Sequence, residues 1–219
     1  MLNFTTSEEN YLKAIYHLQL DGNKVSTNAL ARSLQTRPAS VTDMMKKLNG
    51  KKLLNYKPYY GFSLSAEGKK IALQVVRKHR LWEYFLAEKL QFGWNEVHEM
   101  AEELEHVSHK KLIDKLDEYL GYPDFDPHGD PIPDKKGRIK TMNKMVLADL
   151  PLSEPAEICQ VTNQSSEMLE ILHHRQIRIG TIIEIRKRFS FDQSMEVKVR
   201  NHVFNLSQKT AQFIFVKRK

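Results

Sequence analysis

Apolar residues recur at helical spacing in the first fifty positions and predict three short helices. They repeat every three or four residues across 8–20, 28–34 and 38–49, so each segment can bury one face. Thr6 or Ser7 can cap the first helix, because a hydroxyl oxygen accepts a hydrogen bond from an unpaired N–H of the first turn. The third helix begins with a proline, whose missing N–H costs nothing in a first turn.

A strand pattern follows the third helix. Leu54, Tyr56, Phe62 and Leu64 alternate with polar residues around a turn at 58–61, which predicts a small β-hairpin. Three short helices followed by a hairpin is the order of a winged helix-turn-helix. In that motif the second helix of the pair enters the major groove of DNA.

The middle of the chain is helical again and then loses its periodicity. Helices are expected over about 67–90, 95–108 and 110–120. Residues 121–135 hold four of the eight prolines in the chain, which indicates a linker built of turns.

Strand patterns dominate the last third of the chain. Segments 155–162, 181–188, 195–200 and 212–217 alternate or are rich in β-branched residues, and a short helix over 166–174 interrupts them. We therefore expect a small β-barrel there. The chain as a whole is predicted to be mainly α with a small β part, in four segments: a winged helix-turn-helix over 1–70, a helical domain over 71–122, a linker over 123–150 and the barrel domain over 151–219.

Charge is spread unevenly along the 219 residues. Residues 1–70 carry 11 lysines and arginines against 5 acidic residues, whereas residues 71–140 carry 11 against 14. A basic first third favours a polyanion such as DNA, because binding releases counterions. An acidic, histidine-bearing middle third favours cations.

Cysteine usage and hydropathy indicate a cytoplasmic protein that does not enter a membrane. Cys159 is the only cysteine, which excludes a disulfide framework or a cysteine-rich zinc finger and fits a reducing cytosol. The N-terminal stretch has no secretory signal pattern. The apolar runs are far shorter than the roughly 20 residues that span a bilayer.

The third predicted helix carries side chains suited to reading DNA. Small or polar residues, as contact with base edges requires, stand at its N-terminal end: Thr36, Arg37, Ala39, Ser40, Thr42 and Asp43. Phosphates could be met by Lys46 and Lys47 and, at the hairpin tip, by Lys57, Tyr59 and Tyr60. The alternative is a three-helix domain whose lysine-rich helix binds a protein, but the hairpin and the local positive charge argue against it.

Histidines and carboxylates cluster at helical spacing in the middle third. His79 and Glu83 are four residues apart on one predicted helix, and four such residues share a face of the next: His98, Glu102, Glu105 and His106. Imidazoles and carboxylates are unfavourable in an apolar core because the carboxylates repel each other and need solvent. A divalent cation would balance their charge. Nitrogen and oxygen donors without a thiolate suit Mn²⁺ or Fe²⁺ better than a structural Zn²⁺. The alternative is an acidic amphipathic helix with incidental histidines.

These residues resemble the iron- and manganese-dependent repressors typified by the diphtheria toxin repressor. The similarity covers nearly the whole chain and rests on TTSEENYLKAIYHL, RPASVTDMMKKL, SAEGKKIA, RKHRLWEYFL, EVHEMAEELEHVSHKKLIDKL and DPHGDPIP. The resemblance implies a homodimer that binds a palindromic operator in double-stranded DNA when loaded with metal and that controls metal-uptake genes. It also implies that the C-terminal barrel is an SH3-like domain.

The resemblance further implies two metal centres. An ancillary centre would take His79, Glu83 and His98. A primary, activating centre would take Glu102, Glu105 and His106, completed from the first helix by Asn10. In iron-type members the C-terminal domain adds an amide and a carboxylate, which Gln164 and Glu167 match in reversed order.

Three positions decide which metal the resemblance favours. Glu102 stands where iron-type members have a cysteine and manganese-type members a carboxylate. Asn10 replaces a methionine of the first type and a carboxylate of the second, and its amide oxygen can still bind a hard cation. Lys13 replaces a further carboxylate of the manganese type. Mn²⁺ is therefore preferred and Fe²⁺ possible, because Glu102 supplies a hard oxygen.

The expected mechanism is allosteric. Metal would tie the first helix, through Asn10, to the helix that carries Glu102 and His106, and without metal the carboxylates would repel. The dimer interface is expected from apolar residues of the central helices: Leu81, Phe85, Leu86, Trp94, Leu104, Leu112, Ile113 and Leu116. A di-metal hydrolase or oxidase, or a metal buffer, could use the same cluster, but the basic N-terminal segment would then have no role.

Overall fold

Two compact units make up the computed structural model of the protein, and each gathers separate stretches of sequence. The structure describes residues 4–20, 25–57, 61–107 and 109–218, apart from the side chains of Lys57 and Val107. The first unit contains 1–79, 102–113 and 133–138. The second contains 80–101, 114–132 and 139–219.

The helices and strands occur in the predicted order. The helices are α1 Thr6–Leu20, α2 Thr27–Ser33, α3 Pro38–Gly50, α4 Ala66–Glu88, α5 Val97–Val107, α6 Lys110–Tyr119, α7 Ser166–His174 and α8 Gln208–Ala211. The strands are β1 Leu54–Lys57, β2 Gly61–Leu64, β3 Met145–Val146, β4 Pro155–Val161, β5 Ile182–Arg188, β6 Met195–Val199, β7 His202–Leu206 and β8 Ile214–Arg218. Among the described helices, none is both long and apolar enough to span a bilayer.

The winged helix-turn-helix lies in the first unit. Helices α1 to α3 enclose fully buried apolar side chains that include Leu12, Ile15, Leu30 and Leu48. The wing is an antiparallel hairpin in which Tyr56 pairs with Phe62.

The cap of α1 differs from the prediction. The backbone N–H of Glu8 donates to Thr5 Oγ1 at 3.3 Å, and the N–H of Thr5 donates to Glu8 Oε2 at 3.0 Å. This reciprocal pair is a capping box, with Thr5 in place of the predicted Thr6 or Ser7. It fixes the position of the Glu8 carboxylate at the start of α1.

An antiparallel six-stranded sheet in the order β3-β8-β4-β5-β6-β7 forms the barrel of the second unit. Its apolar core is fully enclosed and includes Ile158, Ile183, Val197 and Ile214. The prediction missed β7, because the hairpin partner of β6 starts after a tight turn at residues 200 and 201 and only part of it is apolar. The predicted fold class, helix-rich with a small β part, is confirmed.

A close approach of backbone to backbone fixes the proline-rich segment in the second unit. Gly129 has a φ of +85°, and a Cβ at this position would overlap the carbonyl group of Cys159 in β4. The N–H of Val161 donates to the carbonyl oxygen of His128 at 2.9 Å. Residues 126–130 therefore form an ordered turn against the edge of β4.

The proposed dimer-interface residues fall into three groups, one of which is half-buried: Phe85, Trp94 and Leu104. Leu81, Leu86, Ile113 and Leu116 are buried within the single chain, so they belong to its core and do not form a free surface. Leu112 is exposed, as are other large apolar residues of the same helices and the turns beside them: Leu90, Phe92, Met100, Tyr119 and Tyr122.

Candidate metal centre and DNA-binding surface

Helices α4 and α5 bring His79 together with Glu102 and Glu105, two of the predicted primary-centre residues, in the first unit. Glu105 is fully buried, and its Oε2 lies 2.7 Å from Nδ1 of His79. His79, Glu102 and Glu105 each offer one donor atom, and these atoms lie within 4.8 Å of one another. One imidazole nitrogen and two carboxylate oxygens at this separation could bind a divalent cation.

His106 is oriented by a residue that the sequence reasoning missed. Its Nδ1 lies 2.7 Å from Oε2 of Glu9 on α1, while its Nε2 is buried without a hydrogen-bond partner among the described residues. If Nδ1 donates its hydrogen to Glu9, Nε2 presents a lone pair, which is the usual arrangement of a metal-binding histidine. The sequence signal was available, since Glu9 directly precedes the predicted ligand Asn10.

Asn10 supports the same assignment. Its Oδ1 is buried and has no hydrogen-bond partner among the described residues. A buried amide oxygen without a partner carries a desolvation cost that a bound cation would remove. The unpaired atoms Asn10 Oδ1 and His106 Nε2 therefore fit a metal that prefers hard nitrogen and oxygen ligands.

Lys13 enters this cluster directly. Its Nζ lies 2.5 Å from Oε1 of Glu102 and 2.7 Å from Oε1 of Glu105. The expectation that these carboxylates repel each other in the absence of metal did not take account of this ammonium group, which lies between them.

The second unit contains another candidate centre around Glu83. Oε1 of Glu83 lies 3.2 Å from Nδ1 of His98. Donor atoms of Glu83, Asp126 and His128 lie within 4.8 Å of one another, and all three residues are buried. The prediction paired Glu83 and His98 but missed Asp126 and His128, although both stand in the quoted DPHGDPIP segment.

The ordered turn holds Asp126 and His128 in place. Asp126 Oδ1 accepts hydrogen bonds from the N–H groups of His128 at 2.8 Å and Asp130 at 2.9 Å. Its other oxygen, Oδ2, and Nδ1 of His128 are buried with no hydrogen-bond partner among the described residues. Nε2 of His128 lies 3.1 Å from the carbonyl oxygen of Trp94. If Nε2 donates its hydrogen to this oxygen, Nδ1 carries a lone pair that can bind a metal.

Burial shifts the titration of both groups. It raises the pKa of Asp126 well above its ordinary value, and the nearby charges of Asp130 and Glu83 raise it further. Burial also lowers the pKa of His128. Both shifts disfavour the charged side chain, and the guanidinium of Arg80, whose Nε lies 3.5 Å from Asp126 Oδ2, opposes the shift of Asp126 only in part.

Nδ1 of His79 lies 2.7 Å from Oε2 of Glu105, and the assignment of this histidine to the ancillary centre stays a prediction. Two other predicted ligands have different surroundings. Gln164 donates from Nε2 to Oδ2 of Asp130 at 2.9 Å. Glu167 is exposed in the first turn of α7, and the structure does not bring it into any of the close donor groups found among the described residues.

The predicted DNA-reading residues lie on the outer side of α3. Its inner side chains Val41, Met45 and Leu48 are buried, whereas the predicted contacts are exposed, except for the half-buried Thr36: Arg37, Ala39, Ser40, Thr42, Asp43, Lys46 and Lys47. The side chain of Lys57, with Tyr59 and Tyr60, lies outside the described residues.

Glu8 links α1 to the end of α3. Its Oε1 accepts from Lys51 at 2.6 Å and lies 3.2 Å from Nζ of Lys47. Burial opposes ionisation of Glu8, but hydrogen bonds from Lys51, the Thr5 backbone and Lys47 together lower its pKa to about 2. Lys47, predicted as a phosphate contact, is thus partly engaged within the protein.

Comparison with known proteins agrees with this fold and site. Three family models match the chain in succession: the N-terminal DNA-binding domain of iron-dependent repressors at 3–62, their metal-binding and dimerisation domain at 65–134, and the FeoA domain at 145–218. The HTH-type transcriptional regulator MntR of Oceanobacillus iheyensis is 31% identical over 154 residues, which cover 70% of this chain and 98% of that protein.

Further relatives extend the similarity to the whole chain. The diphtheria toxin repressor of Corynebacterium jeikeium is 30% identical over 192 residues, covering 84% of this chain and 77% of that protein. A solved structure of a manganese-dependent transcriptional repressor in complex with manganese superposes with a TM-score of 0.88 at 29% identity, covering 97% of this chain and 100% of that one.

The fold and the clustered donor atoms define a metal-responsive, DNA-binding transcriptional regulator and not an enzyme. The chain belongs to the family of iron- and manganese-dependent transcriptional repressors. The predicted family and the predicted class of function are therefore confirmed.

Proposed function

We propose that this chain is a manganese-responsive repressor that binds a palindromic operator as a homodimer and controls metal-uptake genes in the cytoplasm, where that DNA lies. The observation that carries the proposal is that two buried atoms, Asn10 Oδ1 on α1 and His106 Nε2 on α5, have no hydrogen-bond partner among the described residues. A cation bound by both helices would hold α1 in one position, and α1 packs against α2 and β2 of the winged helix-turn-helix.

Donor chemistry supports manganese over softer metals. The primary centre would be formed by Asn10, Glu102, Glu105 and His106, which supply oxygen and imidazole nitrogen. The single cysteine, Cys159, is buried in β4, where its Sγ lies 3.5 Å from the carbonyl oxygen of Phe215. Burial also raises the pKa of its thiol, which disfavours a metal-binding thiolate. When bound, the metal supplies a positive charge and a fixed coordination geometry.

Helix α1 contacts both a predicted metal ligand and the recognition helix. Glu9 orients His106 at 2.7 Å, and the preceding residue, Glu8, holds Lys51 at the end of α3 at 2.6 Å. Adjacent residues of one helix thus contact a metal ligand and the recognition helix. A change in the position of α1 would be transmitted to Arg37 and its neighbours through packed side chains.

We infer that the second centre uses Glu83, His98, Asp126 and His128. Asp126 Oδ2 and His128 Nδ1, buried without a hydrogen bond among the described residues, support this set, and the exposed Glu167 is a weaker candidate. Gln164 supports Asp130 through its amide. This centre would anchor the proline-rich turn to α4 and α5 within the second unit.

The test is operator binding as a function of metal. Operators are selected from random double-stranded DNA, and affinity is measured at fixed salt with Mn²⁺, with anaerobic Fe²⁺ and with chelator. We expect binding with Mn²⁺ that is lost in His106→Ala and kept in His202→Ala, a change at an exposed histidine of β7. Equal binding in chelator would overturn the metal switch, and metal binding without DNA binding would favour a metal buffer.

A further inference from the structure

The ammonium group of Lys13 occupies a position that a metal ion would be expected to take. Its Nζ contacts one oxygen of Glu102 and one of Glu105, at 2.5 and 2.7 Å. The contact with Glu105 has the length of a charge-assisted hydrogen bond, and the contact with Glu102 is shorter still. The lysine side chain is 11% exposed and Glu105 is fully buried, so water screens this pair weakly, whereas Glu102 is 37% exposed.

The surroundings of this ammonium group are those of a cation site. Nδ1 of His79 lies 2.7 Å from the second oxygen of Glu105, and Nε2 of His106 lies 3.3 Å from the first. Glu105 is thus bordered by two imidazoles and one ammonium group. An ion that binds Glu102 and Glu105 through these same oxygens has to displace Lys13 from at least one of them.

We propose that Lys13 is a tethered counter-cation that holds one cation position of the primary centre. The centre then takes a single divalent ion per chain, and Lys13 raises the metal concentration at which that ion binds. The physical reason is that the ammonium group competes for the same oxygens and repels a second positive charge placed a few ångströms away. This inference rests on the proposed function, because it assigns Glu102 and Glu105 as ligands.

The same contact has a consequence for the metal-free protein. Lys13 stands on α1, and its two partners stand on α5, so the ammonium group joins these helices without metal. Removing one member of a buried ion pair leaves the other charge uncompensated and destabilises the fold. Loss of Lys13 should therefore weaken the metal-free protein more than the metal-loaded one.

The test uses the full chain in a His98→Ala background, which disables the second candidate centre through a side chain that is 44% exposed. Mn²⁺ binding is followed by calorimetry and by electron paramagnetic resonance of the free ion. Lys13→Gln, which can still hydrogen-bond to a carboxylate, is compared with Lys13→Arg and with Lys70→Met. Lys70 lies on the same unit in an exposed pair, 3.9 Å from Glu67, and serves as the control.

We expect Lys13→Gln to bind Mn²⁺ about ten-fold more tightly or better. Its metal-free form should melt at a lower temperature, and Mn²⁺ should restore most of that loss. Lys13→Arg and Lys70→Met should match the parent, and Lys13→Glu should add a second ion per chain. Unchanged affinity in Lys13→Gln together with unchanged stoichiometry in Lys13→Glu would overturn the role of Lys13 alone. No Mn²⁺ binding by parent or variants would overturn the proposed function as well.

Discussion

Nδ1 of His106 lies 2.7 Å from Oε2 of Glu9, so a carboxylate of the first helix fixes the orientation of an imidazole on the fifth. Neither residue was paired with the other by sequence spacing, since they stand 97 positions apart. The contact leaves Nε2 buried and without a hydrogen bond among the described residues, 3.3 Å from Oε1 of Glu105. It also joins the DNA-binding segment to the metal-binding helix.

Replacing Glu9 by Gln should weaken metal binding without removing a ligand. The neutral amide cannot offer a negative charge to the imidazole. Loss of a carboxylate that orients a metal-binding histidine typically lowers metal affinity about ten- to one-hundred-fold. Mn²⁺ affinity is measured by calorimetry, with the exposed Glu67→Gln as control. Equal affinity in the two variants would exclude an orienting role for Glu9.

Replacing Glu8 by Ala should lower stability through the α1–α3 contact. The change removes the side-chain half of the capping box with Thr5 and the ion pairs with Lys47 and Lys51, at an expected cost of about 1–2 kcal/mol. The cost is moderate because Lys47 and Lys51, 51% and 31% exposed, can be solvated afterwards. Urea unfolding of the metal-free protein measures it. Glu8→Gln should retain part of the cap, and an effect larger than that of Ala would contradict this account.

Replacing Arg37 by Ala should weaken operator binding. The side chain is exposed at the start of α3 and makes no capping hydrogen bond, so its loss should leave the fold intact. A lost base contact is expected to cost about 1–3 kcal/mol and to relax sequence preference, whereas a lost phosphate contact weakens all sequences alike. Gel-shift assays with the selected operator and with random DNA separate the two cases. Arg32→Ala, exposed on α2, is the matched control and should bind the operator like the parent.

Replacing Gly129 by Ala should disrupt the turn that presents Asp126 and His128. The added Cβ meets the Cys159 carbonyl in a backbone conformation with φ of +85°. Gly180 has the same φ but nothing within 4 Å, so Gly180→Ala carries only the backbone strain. We expect the first variant to lose about 2 kcal/mol or more, and the second about 1. Thermal unfolding compares them, and equal losses would show that the close approach is unimportant.

The turn over 134–138 should keep its stability until the pH is strongly acidic. Hydrogen bonds from the N–H of Arg138, from its guanidinium and from the N–H of Lys136 lower the pKa of Asp134 to about 2. Because the folded pKa lies below the ordinary value, the turn is stabilised above pH 4 and loses this contribution as the pH falls towards 2. Carbon NMR of the Asp134 carboxyl follows the titration. A midpoint near the ordinary value of 3.8 would mean that the turn does not hold in solution.

The sequence by itself determined the elements and the class of site. Helical spacing located α2, α3 and α7 to within a residue or two at each end, and alternation located the hairpin, because these patterns record which face of a local segment is buried. The spacing of His98, Glu102 and His106 indicated a metal site for the same reason, since a helix alone decides which of its side chains share a face.

Only the tertiary structure decided how distant residues complete the site. Lys13 between Glu102 and Glu105, Glu9 against His106, and Asp126 beside Glu83 are contacts between segments far apart in sequence. The periodicity of the sequence cannot predict these contacts, because each depends on the path of the backbone between distant segments. The approach of the Gly129 turn to β4 is one example. Local patterns report the burial of a segment, whereas the partner of a buried charge is set by the packing of the whole chain.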